Sequence, residues 1–178
     1  ELNDHDANAI WFRISERIDI NDWSDDQAWL DRCNPPNCWL STNHLMGEGY
    51  WAWLIPLASG SHSVGIVADA KLHPIETINT FEKAMTWFEK HQPRLFDALD
   101  KKRDKLQDFA FFKRFSYGCK RVFSGKQRWA LTGEAGVFLD PFYSPGSDFI
   151  AIGNTFITEL VAQDRANGPV DMYANIYQ

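Results

Sequence analysis

The run Gly49-Tyr50-Trp51-Ala52-Trp53-Leu54-Ile55-Pro56 limits what this chain can fold into more than any other stretch. Aromatic and β-branched side chains favour extended backbone, and a proline here cannot continue a helix. In a strand, Trp51 and Trp53 share one face while Ala52 takes the other. Two indoles two residues apart then form a broad, stiff wall with little side-chain entropy to lose. On spacing alone such a strand is by default packed in a core, with a wall for a flat ligand as the alternative. Gly47, Gly49 and Ala52 also fit a loose Gly-x-Gly-x-x-Ala pattern. A dinucleotide loop needs a helix after its glycines, and the strand-like, Trp-rich continuation argues against a phosphate cradle.

Neighbouring segments extend the sheet. Within residues 8–20, Ile10, Phe12 and Ile14 alternate with Trp11, Arg13 and Ser15. Further strand-like runs cover 37–45, 49–57 and 62–69, the last two joined by a hairpin connection at Ala58-Ser59-Gly60-Ser61. Between the first two runs, residues 21–36 hold Asp22, Asp25, Asp26 and Pro35-Pro36, which predicts a short helix or loop. Pro74 is expected to open a helix over 75–91, with Ile78, Phe81, Met85 and Phe88 as its packing stripe. Pro93 ends it, a second short helix follows over 94–104, and strands are expected near 109–117 and 119–123. The last third changes character. "RWALTGEAG" (128–136) reads as a short buried strand ending in glycine, and "DPFYSPG" (140–146) as a loop. A helix then follows, with Phe149, Ile150, Ile152, Phe156, Ile157, Leu160 and Val161 on one face. Ser144 before Pro145 reads as the N-cap and first residue of that helix, whose free N–H groups and dipole favour a small anion at 144–147. A plainly capped helix, its dipole complemented by Asp148, is the alternative.

The chain's 178 residues allow one domain or parts of two. Its formal charge of −6 excludes a nucleic-acid-binding role for the chain as a whole. Eight tryptophans and thirteen phenylalanines suit a core or pocket that handles flat ligands. Residues 101–128 carry ten bases against two acids, expected to form a solvated face or one docked on nearby acids. A site for a ligand's phosphates is the other reading. Cys33, Cys38 and Cys119 make no disulfide framework, and without a second close pair of ligands no metal is expected. No apolar run is long enough to span a membrane and no signal peptide is visible, so a cytoplasmic protein with reduced cysteines and no membrane partner is expected. The first residues resemble the end of a loop, and the chain reads as a piece of a longer protein.

"WAWLIP" resembles the Trp-x-Trp-x-Ile-Pro motif of flavin-dependent halogenases. "GEAGVFLDPFYSPG" is similar to that family's second flavin-binding segment, and the resemblance extends from about Asn8 to Asp164. It implies an FAD-dependent oxidoreductase that uses reduced FAD, oxygen and halide on a small, electron-rich aromatic substrate, with a flavin reductase supplying the reduced FAD. Carried over, Trp51, Trp53, Ile55 and Pro56 form the catalytic wall that keeps substrate from the flavin. Gly133, Glu134, Asp140, Pro141, Phe142, Gly146 and Ser147 would contact the cofactor, and Ser144, Pro145 and Gly146 would hold halide.

Some positions depart from the family. Glu134 stands where the family has an Asp on the ribityl chain. Tyr143 falls where tryptophan halogenases carry a catalytic Glu, and Pro145 replaces Thr. The N-terminal strand–Gly-x-Gly-x-x-Gly–helix unit and its essential Lys have no counterpart, so the isolated chain is expected to bind FAD weakly or not at all.

The fold expectation is α+β or α/β. Residues 1–127 would form an antiparallel or mixed sheet of a substrate domain with packed helices. Residues 128–178 would be the C-terminal strand–loop–helix of an FAD-binding domain, FAD/NAD(P)-binding and p-hydroxybenzoate-hydroxylase-like. Two other functions remain open: a non-halogenating flavin monooxygenase or reductase of the same fold, and a non-catalytic domain that binds an aromatic ligand or partner.

Overall fold

The period-two alternation is realised as a five-stranded antiparallel sheet in the order β2-β3-β4-β1-β5. Its strands are β1 (Ala7–Ile14), β2 (Asn43–Gly47), β3 (Tyr50–Pro56), β4 (His62–Asp69) and β5 (Leu106–Phe112). The computed structural model describes residues 5–178, and the expectation that the chain opens on the end of a loop falls on Glu1–Asp4, outside the described residues. Two compact units emerge: one is Ala7–Arg114, the other joins His5 and Asp6 to Phe115–Gln178. The expected division after Gln127 was drawn by role, whereas the compact units part between Arg114 and Phe115. The fold is mixed α+β with an antiparallel sheet.

In the first unit, one face of the sheet is covered by α2 (Phe81–His91) and α3 (Pro93–Asp100). Ile10, Phe12, Ile14, Leu54 and Ile66 of the sheet meet Met85, Phe88, Leu95 and Leu99 of the helices, all essentially fully buried. Each such side chain contributes roughly 1.5–3 kcal/mol on leaving water. Phe12 sits edge-to-face against Phe81 and Phe88, with ring centroids 5.2 and 6.2 Å away.

Several boundaries differ from the sequence expectations. The alternating run over 8–20 stops being strand at Ile14; beyond it Ile18 buries its side chain and its N–H donates to His62 Nδ1 at 3.2 Å. The 21–36 stretch holds a 3-10 turn at Ile20–Trp23 and the short α1 (Gln27–Leu30). Of the 37–45 run only its end is strand, because Cys38–Leu40 form a 3-10 turn tied by Asn43 Nδ2 to the carbonyls of Cys38 and Ser41, both at 3.0 Å. Pro74 opens only a 3-10 turn, Ile75–Thr77. The helix itself starts at Phe81, where the Thr80 hydroxyl accepts the N–H of Lys83. Ile78 remains in the core but is supplied by the connecting loop. Much of the basic stretch is paired: Lys102 with Glu16, Arg103 with Glu82 and Asp100, Lys105 with Asp104, Lys113 with Glu76, and Arg128 with Asp164.

The second unit is built on short pieces. Two-residue ladders join β6 (Tyr117–Gly118) to β9 (Val137–Phe138), and β7 (Phe123–Ser124) to β8 (Trp129–Ala130). The expected strands over 119–123 and 128–136 shrink to these pairs. A 21-residue helix, α4 (Pro145–Arg165), is followed by α5 (Val170–Tyr177), which sequence periodicity did not single out. The buried apolar residues of this unit are Phe123, Leu160 and Ala174. Of the expected apolar face of α4, Leu160 is buried and Phe156 and Ile157 pack beside it, while Phe149, Ile150, Ile152 and Val161 stay exposed. The short ladders of this unit supply too little surface to cover a helix of that length.

Candidate functional site

Burial alternates strictly along β3. Tyr50, Ala52 and Leu54 point into the core, while Trp51, Trp53 and Ile55 are half-buried on the opposite face, away from α2 and α3. The default reading of the double tryptophan as core is therefore corrected, because the small and aliphatic residues between the indoles fill the core instead. Pro56 ends the strand opposite His62. Gly47 pairs with Tyr50 to close a two-residue hairpin, and Gly49 takes φ +69°, where a side chain would also strike Leu72. These glycines serve a β-turn that leads into a strand.

Around the two indoles the outer sheet face is aromatic. Trp51 and Trp53 lie 5.5 Å apart between centroids, and His44 on β2 stands edge-on to Trp51 at 5.4 Å. On β1 and β5, Trp11 and Phe112 stack with centroids 4.9 Å apart and planes 9° from parallel. Between these pairs runs β4, and Gly65 is the direct partner of both Trp53 and Trp11. The Trp53 Nε1–H donates to Ser63 Oγ at 3.1 Å. Sequence reasoning missed Gly65, Ser63 and Phe112. A lone glycine inside the β-branched run "SVGIVA" was the available signal, since it marks close approach of another group.

The second motif is organised within its own unit. Asp140 Oδ1 accepts the N–H of Phe142 at 2.9 Å, and its Oδ2 lies 3.3 Å from His5 Nε2. Pro141–Tyr143 form a 3-10 turn ending at Ser144, which holds φ +55° and leads into α4. Ser144 occupies the expected cap position, yet its backbone is left-handed, not the extended conformation usual at a cap, and its hydroxyl makes no capping bond. The serine therefore gives the helix N-terminus no side-chain cap. Around Gly146 a Cβ would meet nothing within 4 Å, so the backbone of the first turn borders open space. Gly133, at φ +54°, lies under Ile150 of α4, where an added Cβ would come within 2.8 Å of Cγ1. This brings the Gly133–Ala135 turn against the helix, with the Glu134 side chain exposed and its carbonyl accepting from the Tyr117 hydroxyl. The cleft under this turn measures about 140 Å³, small beside the roughly 300–1,000 Å³ of ligand pockets. Such a surface offers an exposed carboxylate as a hydrogen-bond acceptor and a helix N-terminus that favours negative charge.

Other polar groups have structural places. The Cys38 thiol is held above its ordinary value, chiefly by its hydrogen bond with Cys33. Among the described residues no group of three His, Cys, Asp or Glu is arranged to hold a metal, and no helix is long and apolar enough to cross a membrane. His73 accepts from Trp87 Nε1 at 3.1 Å and faces the Glu48 carbonyl at 2.9 Å.

No family model matches the chain. Its sequence is 33% identical over 138 residues to the flavin-dependent halogenase chlA of Dictyostelium discoideum, covering 76% of this chain and 22% of that protein. It is 29% identical over 121 residues to a 1H-pyrrole-2-carbonyl peptidyl-carrier-protein brominase of Pseudoalteromonas luteoviolacea (strain 2ta16), covering 67% and 29%. The fold superposes on the flavin-dependent brominase Bmp2 with a TM-score of 0.65 at 20% identity, over 97% of this chain and 39% of that one. The chain thus spans between a fifth and two fifths of these relatives' length. Sequence and fold point one way: this chain is halogenase-like, similar across most of its length to flavin-dependent halogenases, which are oxidoreductase enzymes.

Proposed function

We propose that the chain is part of a flavin-dependent halogenase that uses reduced FAD, oxygen and a halide on a small, electron-rich aromatic substrate, with a separate flavin reductase. The observation that carries this reading is the outward face of β3. A protein that turns Trp51, Trp53 and Ile55 away from its core forgoes part of their burial, and a wall against a planar ligand accounts for that use. The bound flavin supplies the oxidation of halide by oxygen. The wall of Trp51, Trp53, Ile55 and Pro56 keeps the aromatic substrate from the flavin, so that halide is oxidised in its place. The Ser144-Pro145-Gly146 loop offers halide the N-terminal N–H groups of α4, whose dipole favours negative charge, with Ser147 in the same turn. Gly133, Glu134, Asp140, Pro141 and Phe142 would border the cofactor, with the Glu134 carboxylate as the acceptor for its polyol chain. On this reading residues 1–127 belong to the substrate domain and 128–178 to the FAD-binding domain.

The test is an assay of the protein carrying this chain with a flavin reductase, FAD, chloride or bromide, and phenolic or pyrrolic substrates. A product whose mass shift follows the halide supplied is expected. Trp53→Ala should lower its yield at least tenfold, roughly the loss of one well-placed barrier group. Hydroxylated product formed equally well without halide would instead assign a monooxygenase.

A further inference from the structure

β4 crosses beneath the Trp53 indole, and two of its residues fit that ring closely. At position 65, directly paired with Trp53, a Cβ would fall inside the contact radius of Cζ2 and Cη2 and only 2.5 Å from Cε2. Any side chain there displaces the ring, since real Cβ atoms do not approach so closely. At position 63, two residues along the same strand and on the same face, the serine hydroxyl accepts the indole N–H at 3.1 Å. The indole therefore lies flat across the β4 backbone, its benzenoid ring over Gly65 and its nitrogen tied at Ser63. Without that bond the side chain is free to stand off the sheet, as its half-buried position permits. Past Gly65 the same row leads to Trp11, so removal of a Cβ at one position lets the aromatic surface run on from β3 towards β1.

We infer that Gly65 and Ser63 are positioning residues: they seat the Trp53 indole flat on the sheet and thereby set how completely the tryptophan wall separates substrate from cofactor. The inference rests on the halogenase reading for its consequence, though not for the seat itself. Neither residue touches the reacting atoms; both act through Trp53.

The experiment has two readouts. The first is the indole N–H resonance of Trp53, assigned by its disappearance in Trp53→Phe and followed in Ser63→Ala, Ser63→Thr and Gly65→Ala. Ser63→Ala and Gly65→Ala are expected to shift it and to raise its exchange with water about fivefold, the worth of one hydrogen bond. Ser63→Thr keeps the acceptor and is expected to stay near wild type. The second is the partition of product in the protein carrying this chain, measured as halogenated product per reduced FAD consumed. The same two variants should lower that ratio about fivefold while FAD affinity holds within about twofold. An unchanged indole resonance in Ser63→Ala overturns the seat. A shifted resonance with unchanged partition overturns its positioning role. If the wild-type protein gives no halide-dependent product while the resonance shifts as expected, the halogenase reading fails and the seat survives. Ser63→Ala keeps the test decisive should Gly65→Ala fail to fold.

Discussion

His62 shows how one side chain ties the loop after β1 to the sheet. Its ring is buried, Nδ1 accepts the N–H of Ile18, and burial pushes its pKa below the usual imidazole value, with Arg17 adding and Asp19 opposing. The folded state therefore prefers neutral His62, whereas the unfolded chain takes up a proton near the ordinary value. His62 contributes stability that is fully present above the unfolded pKa and lost as pH falls through it towards the lower folded value. His91 shifts in the same direction, by burial first and then by His73 and Lys90. Denaturant midpoints should accordingly fall between about pH 7.5 and about pH 5.5, and His62→Gln should flatten that dependence. An equal pH slope in the variant would falsify the assignment. Gly65 makes a residue-scale point of another kind: the glycine was visible, but the ring it serves was not, since the contact joins positions on different strands.

Among the elements, α2 is the clearest case of local chemistry overruling an expected start. Pro74 is a good helix opener, yet Thr80 offers a hydroxyl that the N–H of Lys83 takes up, and the chain between them stays a turn. Thr80→Ala should cost about 1 kcal/mol in the unfolding free energy, the usual worth of such a cap. Pro74→Ala should cost less, and the reverse order would return the helix start to Pro74. The strands β3 and β4 were far more legible than the helix boundaries, because alternation over seven or eight residues is a repeated signal and a cap is a single one. The 8–20 run misleads for the same reason: Ile18 continues an apolar pattern but reaches the core from a loop.

On the scale of the whole molecule, two units differ in what holds them. Ala7–Arg114 encloses a continuous core between the sheet and two helices, while the Phe115–Gln178 region buries Phe123, Leu160 and Ala174 under short ladders. Native-state amide exchange should therefore be slowest in β1, β3 and β4, with α4 exchanging at least about tenfold faster, as expected where few apolar contacts protect the backbone. Equal protection of α4 and β4 would contradict this. The sequence alone determined the antiparallel sheet, the two tryptophans on a common face, the helix start at Pro145 and the likeness of both motifs to halogenases. The strand alternation, the shared tryptophan face, the helix start and the motifs rest on residues close together in the chain, where spacing and backbone preference suffice. The antiparallel sense of the sheet was signalled by the short connection between β3 and β4. Only the tertiary structure decided that the tryptophans face outward, that the Ser144 hydroxyl does not cap its helix, and that Gly65 and Ser63 seat the Trp53 ring. Burial and cross-strand contact depend on what the opposite face meets, and no local pattern along the chain encodes that.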